Sequence, residues 1–174
     1  MNINRPSLLA VVLLLAACDT RPPLDTVDAV DLQRFMGDWY VIASIPTFFE
    51  REAYNPIETY SLNADGSIAT TFTFNAGSTE GEPKIFRATG FVQNITSNAQ
   101  WGMQFVWPIK ADYRIVYLDE DYQYTVIARQ KRDYVWIMAR SPQITAEKFA
   151  QLQTLVADIG YDTQLLQRAH HRAP

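Results

Sequence analysis

GDWYV, Gly37 to Val41, marks the point where the chain changes character. Just before it, Leu32, Phe35 and Met36 recur at helical spacing, enough for one turn that plugs an end of whatever follows. From Trp39 onward, apolar and polar residues alternate with the two-residue period of a half-buried strand. This period predicts strands over 38–45, 56–63, 67–75, 84–94, 101–107, 112–118, 122–129 and 134–140. The links between them carry turn chemistry. Asn63-Ala64-Asp65-Gly66-Ser67 contains Asp-Gly, a hairpin signal, and LDEDY (118–122) and RQKRDY (129–134) supply further tight polar turns. The longest link, Pro46–Asn55, suits a mouth loop. Short links make an antiparallel meander, and an open meander would leave two exposed edges. Closure removes them, so the expected fold is all-β, an eight-stranded antiparallel up-and-down β-barrel.

One α-helix follows the strands. Thr145 is placed to cap it, Glu147 suits its first turn, and Gly160 stops it. Phe149, Leu152, Leu155, Val156 and Ile159 form one apolar stripe. The stripe needs a partner. Segment 134–140 offers one, because Val135, Ile137 and Ala139 are apolar on one face while Trp136 and Met138 are apolar on the other. A strand covered on both sides reads this way, so the helix is expected on the outside of the barrel.

The N-terminus has a different logic. Leu8 to Ala17 is an apolar run too short to span a bilayer, and it ends in Leu15-Ala16-Ala17-Cys18. This resembles a bacterial lipobox, which implies cleavage before Cys18 and acylation of its thiol. Residues 1–17 are then a lipoprotein signal peptide. Residues 18–30, with two prolines and few bulky side chains, read as a lipidated tether. The barrel and helix occupy 31–165, and 166–174 is a polar tail. Cys18 is the single cysteine, so no internal disulfide is available. The expected address is the bacterial cell envelope, with the lipid anchor in the outer membrane or, as the alternative, in the inner membrane. Asp19, directly after the cysteine, resembles the signal for inner-membrane retention in enteric lipoproteins.

The sequence has 174 residues, a core-sized apolar fraction of 48% and a net charge of -4. That mild acidity argues against a nucleic-acid partner, which calls for clustered Lys and Arg. Both histidines, His170 and His171, lie in the tail, outside the strands. The barrel therefore offers no histidine as base or metal ligand, and no cofactor or metal is expected.

Taken in order, these motifs resemble the lipocalin family, and within it the bacterial lipoprotein lipocalins. The first is Gly-x-Trp, here Gly37-Asp38-Trp39. The second is an Asp-Tyr turn, matched by Asp121 and Tyr122. The third is an arginine ending the last barrel strand, Arg140 in DYVWIMARSP. ETYSLNADGSI and WPIKADYRIVYLDEDY also read like the bacterial branch. The resemblance runs from about Asp31 to Gly160. It implies that Trp39 closes the base of the barrel with Arg140 across its indole, and that the opposite end is hollow. Gly37 would let the preceding turn approach without a Cβ clash.

The same resemblance puts Arg140 inside the base. Trp136 and Met138 share its parity and are expected in the cavity, and Tyr113 matches a pocket position. Phe72 and Phe74 share a face, and Phe105 is a further ligand-binding candidate. Tyr113, Ile115 and Tyr117 are read as one face, as are Tyr122, Tyr124 and Val126. Arg51, Lys84, Arg87 and Lys110 are placed near the mouth, where a phosphate could meet them. The expected function is binding, storage or transport of a fatty acid or lysophospholipid, without catalysis. The membrane is reached through acylated Cys18, and the family also implies homodimers. Two alternatives stand beside this. One is a lipid- or isoprenoid-modifying enzyme on the same barrel. The other is a structural envelope lipoprotein whose rings fill the interior.

Overall fold

The computed structural model describes residues 21–172. The signal peptide, Cys18 and Asp19 lie outside the described residues. α1 (Leu32–Phe35) is capped by Asp31, whose carboxylate accepts from the Gln33 and Arg34 N–H groups. Eight strands follow in meander order: β1 (Gly37–Ile45), β2 (Ala53–Leu62), β3 (Ile68–Ala76), β4 (Glu82–Val92), β5 (Gln100–Val106), β6 (Ile109–Leu118), β7 (Tyr124–Ala128) and β8 (Val135–Ala139). Each pairs antiparallel with the next, β8 pairs with β1, and β1 pairs with β2, so the barrel closes. α2 (Ala146–Asp158) comes next, and β9 (Gln167–Arg168) is added on β1. The expected barrel and helix are both present.

Two apolar clusters follow from the alternation. The inner one holds Phe35, Trp39, Tyr60, Phe72, Trp101, Tyr113 and Met138. The outer one joins Val126, Ala128, Val135, Ile137 and Ala139 to Leu152 and Val156 of α2. β8 thus contributes to both, which is why its sequence is apolar throughout.

The base is a solid aromatic floor. Phe35 lies 5.1 Å from Trp39 and 5.4 Å from Trp101, ring to ring, and Trp101 stacks on Tyr113 at 5.0 Å. Trp39 is fully buried, and its Nε1 donates to Phe35 O at 2.8 Å. Arg140 lies 3.9 Å above the indole. Its Nη2 donates to the carbonyls of Arg34, Phe35 and Met36 at 2.9–3.0 Å, and its Nη1 to Asp38 O at 2.7 Å. These carbonyls end α1 and have no helical partner, so one guanidinium satisfies the helix terminus and covers the tryptophan at once.

Several expectations need correction. A Cβ on Gly37 would lie 3.5 Å from Arg140 Nη1, an ordinary contact; the residue is glycine because its φ is +91°. In the 118–122 turn, the organising carboxylate belongs to Asp119, which accepts from Gln123 N at 2.8 Å and Tyr124 N at 2.5 Å. Asp121 is exposed. Tyr122 adopts φ 58° in the turn rather than a strand conformation, and its hydroxyl accepts from Asp31 N. A register shift between Ile115 and Tyr117 moves Tyr117 to the outer cluster, where Tyr124 and Val126 also sit. The bulge resets parity, so Tyr117 leaves the inner face that Tyr113 and Ile115 share, and Tyr122, in the turn, packs with the inner cluster while Tyr124 and Val126 share the outer one.

Both ends of the chain pack more than composition implies. Leu24 and Val30 are buried, and Val27 N donates to Ile115 O at 3.0 Å. The described part of the expected tether therefore lies along the barrel, with Leu24, Val27 and Val30 recurring every third residue. The expected loose tail is also ordered through Arg172. β1 and β2 pair only from Gly37↔Tyr60 to Tyr40↔Ile57, and the tail fills the gap above. Ala169 N donates to Ile42 O, Asn55 N donates to His170 O, and the His170 ring stacks on Tyr54 at 5.2 Å. His171 Nε2 lies 2.8 Å from Val41 O, so that nitrogen carries a proton. The physical reason is unpaired strand backbone, which the tail satisfies.

Candidate functional site

Above the aromatic floor the barrel is hollow. A cavity of about 480 Å3 opens at the end opposite α1, within the range of small-molecule pockets. Met103, Ile127, Met138, Tyr60 and Tyr113 lie at its inner end, and Phe72 and Trp136 line its wall. The mouth loop folds a short 3-10 turn, Phe48–Glu50, over the rim. Phe48 and Phe49 are strongly exposed there and also line the cavity.

Of the six ligand-binding candidates, Trp136, Tyr113, Met138, Phe105 and Phe72 line this space. Phe105 stands at the rim, more than half exposed. Phe74 is a buried interior ring that packs 5.3 Å from Phe72 and stacks on Phe86 at 5.9 Å, behind the lining. None of the four proposed mouth cations lines the cavity. Lys84 pairs with Glu82, Lys110 sits over the Phe91 ring, and Arg51 reaches a neighbouring space.

Among the polar groups inside, Tyr113 is a candidate from the sequence, whereas Glu58, Glu50, Tyr60 and Arg129 are not. Glu58 of β2 stands opposite Trp39 on one side and Phe72 on the other. Protein encloses its carboxyl, and what surface it keeps faces the cavity. Burial pushes its pKa up to about 8, the Glu50 charge adds to the rise, and a hydrogen bond from Tyr60 to the carboxyl acts against it. Glu58 is therefore mainly protonated at neutral pH. Its Oε2 is buried with no hydrogen-bond partner. Glu50 enters from the mouth loop, held by Thr47 N at 2.8 Å. Burial raises its pKa too, while the Thr47 and Trp136 hydrogen bonds lower it.

The Tyr60 and Tyr113 hydroxyls are 2.7 Å apart and bonded to each other. Burial pushes both phenols well above their ordinary range, so they remain neutral. Arg129 reaches the cavity from the end of β7, with Nη1 3.4 Å from Asp133 and its guanidinium over the Tyr134 ring. The available signal was parity: Glu58 shares a face with Tyr60 and Leu62 on a strand whose inner positions are otherwise apolar.

A second cavity of about 370 Å3 lies between β1, the start of β2 and the tail. Glu50, Phe72 and Trp136 border both cavities and separate them. Among the described residues, no group of three or more His, Cys, Asp or Glu is placed to hold a metal ion.

The family model described as "Lipocalin-like domain" matches residues 30–171. Temperature-induced lipocalin-1 of Arabidopsis thaliana is 29% identical over 160 residues, covering 87% of this chain and 82% of its own length. Outer membrane lipoprotein Blc of Citrobacter freundii is 29% identical, covering 90% of this chain and 89% of its own. Among solved structures, insecticyanin from the tobacco hornworm Manduca sexta superposes with a TM-score of 0.66 at 14% identity, over 85% of this chain and 84% of that one. Lobster apocrustacyanin A1 does so at 0.62 and 15% identity, over 81% and 79%.

Proposed function

This chain belongs to the lipocalin family, and on that premise we propose that it is an envelope-anchored carrier of single-chain lipids, fatty acids or lysophospholipids. The observation that carries the reading is the empty apolar space of about 480 Å3 above a solid floor. Each methylene hidden there is worth up to about 0.8 kcal/mol before ordering costs. A filled structural barrel would leave no such space. The lipobox ending at Cys18 supports a lipid anchor. The relative named outer membrane lipoprotein Blc supports the outer membrane, while Asp19 keeps inner-membrane retention in play. Two acyl signals or more hold a protein durably on a bilayer, which a triacylated cysteine supplies. Homodimer formation belongs to the same proposal.

The test is native mass spectrometry of a soluble form beginning at Asp19, which keeps the packed Leu24–Val30 segment, after exposure to a membrane lipid extract. Capture of a single-chain lipid is the expected result, and Trp136→Ala should weaken it. Failure to capture any amphiphile with the fold intact overturns the carrier reading.

One observation favours an enzyme instead. Glu58 is a deep, protonated carboxyl of the kind that serves as a general acid. Turnover of envelope lipids by the purified protein, lost in Glu58→Gln, would establish that reading. The carrier is preferred because the lining residues around Glu58, namely Glu50, Tyr60 and Tyr113, include no activated nucleophile.

A further inference from the structure

Glu58 breaks the pattern of its own strand. The inward positions beside it, Tyr60 and Leu62, join the inner apolar cluster, and its cross-strand neighbours are Trp39 and Phe72. An apolar residue would fill this position without penalty. The strand instead carries a carboxyl whose Oε2 is buried and unpartnered, in a residue lining an empty cavity. Buried polar atoms are normally bonded, and one left open at a cavity wall points to the molecule that fills the cavity.

The surrounding groups narrow what that molecule is. The Tyr60 and Tyr113 hydroxyls share one hydrogen bond, and Tyr60 also bonds the Glu58 carboxyl, which leaves Oε2 as its open atom. Arg129 pairs with Asp133 through Nη1 and lies over the Tyr134 ring, with its Nε buried and unpartnered at the end of β7, away from the Trp39 floor that Glu58 adjoins. Asp112 is held by Arg114 at 3.0 Å and by Gln130 N at 2.7 Å. Glu50 approaches from the mouth with the same sign of charge as an ionised Glu58. A neutral carboxyl presents one donor and one acceptor side by side. An alcohol hydroxyl complements both. A carboxylate or phosphate brought to this depth would face Glu50 and lose its own hydration.

We propose that Glu58 is the polar anchor of the cup, selecting an uncharged ligand that carries a hydroxyl group on an apolar body and excluding anionic groups at that depth. The proposal rests on the carrier reading and narrows it. Among single-chain lipids, long-chain alcohols and monoacylglycerols rank above the fatty-acid anion.

The test compares dodecanol, monododecanoylglycerol and dodecanoate, titrated at neutral pH against the soluble form and followed by quenching of tryptophan fluorescence. The alcohol and the monoacylglycerol should bind about tenfold tighter than the carboxylate, the worth of one hydrogen bond to a buried polar group. Glu58→Leu should erase that preference while still binding chains. Glu58→Gln, which keeps a donor and an acceptor, should retain it. Equal or tighter binding of dodecanoate by the unmodified protein overturns the proposal and leaves the carrier reading standing. So does an unchanged preference in Glu58→Leu. If no amphiphile binds either protein, the carrier reading falls and this proposal with it.

Discussion

Replacing Glu58 with Gln should remove a pH dependence from the stability of the barrel. Burial and the Glu50 charge raise the Glu58 pKa from an ordinary 4.5 to about 8. Between those values the folded protein holds a proton on this carboxyl that the unfolded chain has released. Stability therefore falls as pH rises, by about 1.4 kcal/mol per pH unit for one proton. The loss begins above the unfolded value and levels off above the folded one. Its full extent, from 4.5 to about 8, has a ceiling of about 5 kcal/mol. A neutral glutamine of the same shape carries no such term. Urea unfolding of both proteins across that window gives the difference curve, in which ionisable groups that do not interact with residue 58 cancel. The stability of the unmodified protein should drop relative to Glu58→Gln by more than about 1 kcal/mol per pH unit near neutrality. Parallel curves would refute the buried carboxyl, and with it the account of the cup's polarity.

Trp39→Ala should cost about 3–5 kcal/mol, the usual loss for a large buried aromatic, because the ring is fully buried and its Nε1 bonds Phe35 O; an unchanged urea midpoint would contradict its role in the floor. Gly37→Ala should cost about 1–2 kcal/mol from the left-handed backbone, since the added Cβ meets Arg140 Nη1 at an ordinary 3.5 Å; a stability equal to the parent would refute the backbone argument. A chain ending at Leu166 loses the His170 carbonyl that accepts from Asn55 N. Hydrogen exchange should then quicken at Asn55 while the floor around Trp39 and Trp101 stays protected. Unchanged protection at Asn55 would show that the tail does not hold the seam.

Much of the architecture is legible one segment at a time. The two-residue alternation marks eight strands, the stripe from Phe149 to Ile159 marks α2, and the double apolar pattern at 134–140 marks a strand covered on both faces. Thr145 caps α2 as its spacing indicates, accepting from Lys148 N. These are local properties, because side-chain direction in a strand or helix follows from backbone period alone. The motif residues Trp39 and Arg140 are also recognisable in the chain, and their stacking follows once the barrel closes.

What happens along the barrel axis and across its seam needed the tertiary structure. Alternation assigns a face to Glu58 but says nothing of its depth, its neighbours Glu50 and Tyr60, or the open space beside it. The bulge that sends Tyr117 outward depends on pairing with β7. His170 and His171 look like solvated tail residues until β1 and β2 part and leave backbone groups for them to satisfy. In each case the deciding partner lies far away in the chain. A sequence states what each residue prefers locally; closure of the sheet chooses which distant residues must share the interior, and burial then sets their charge.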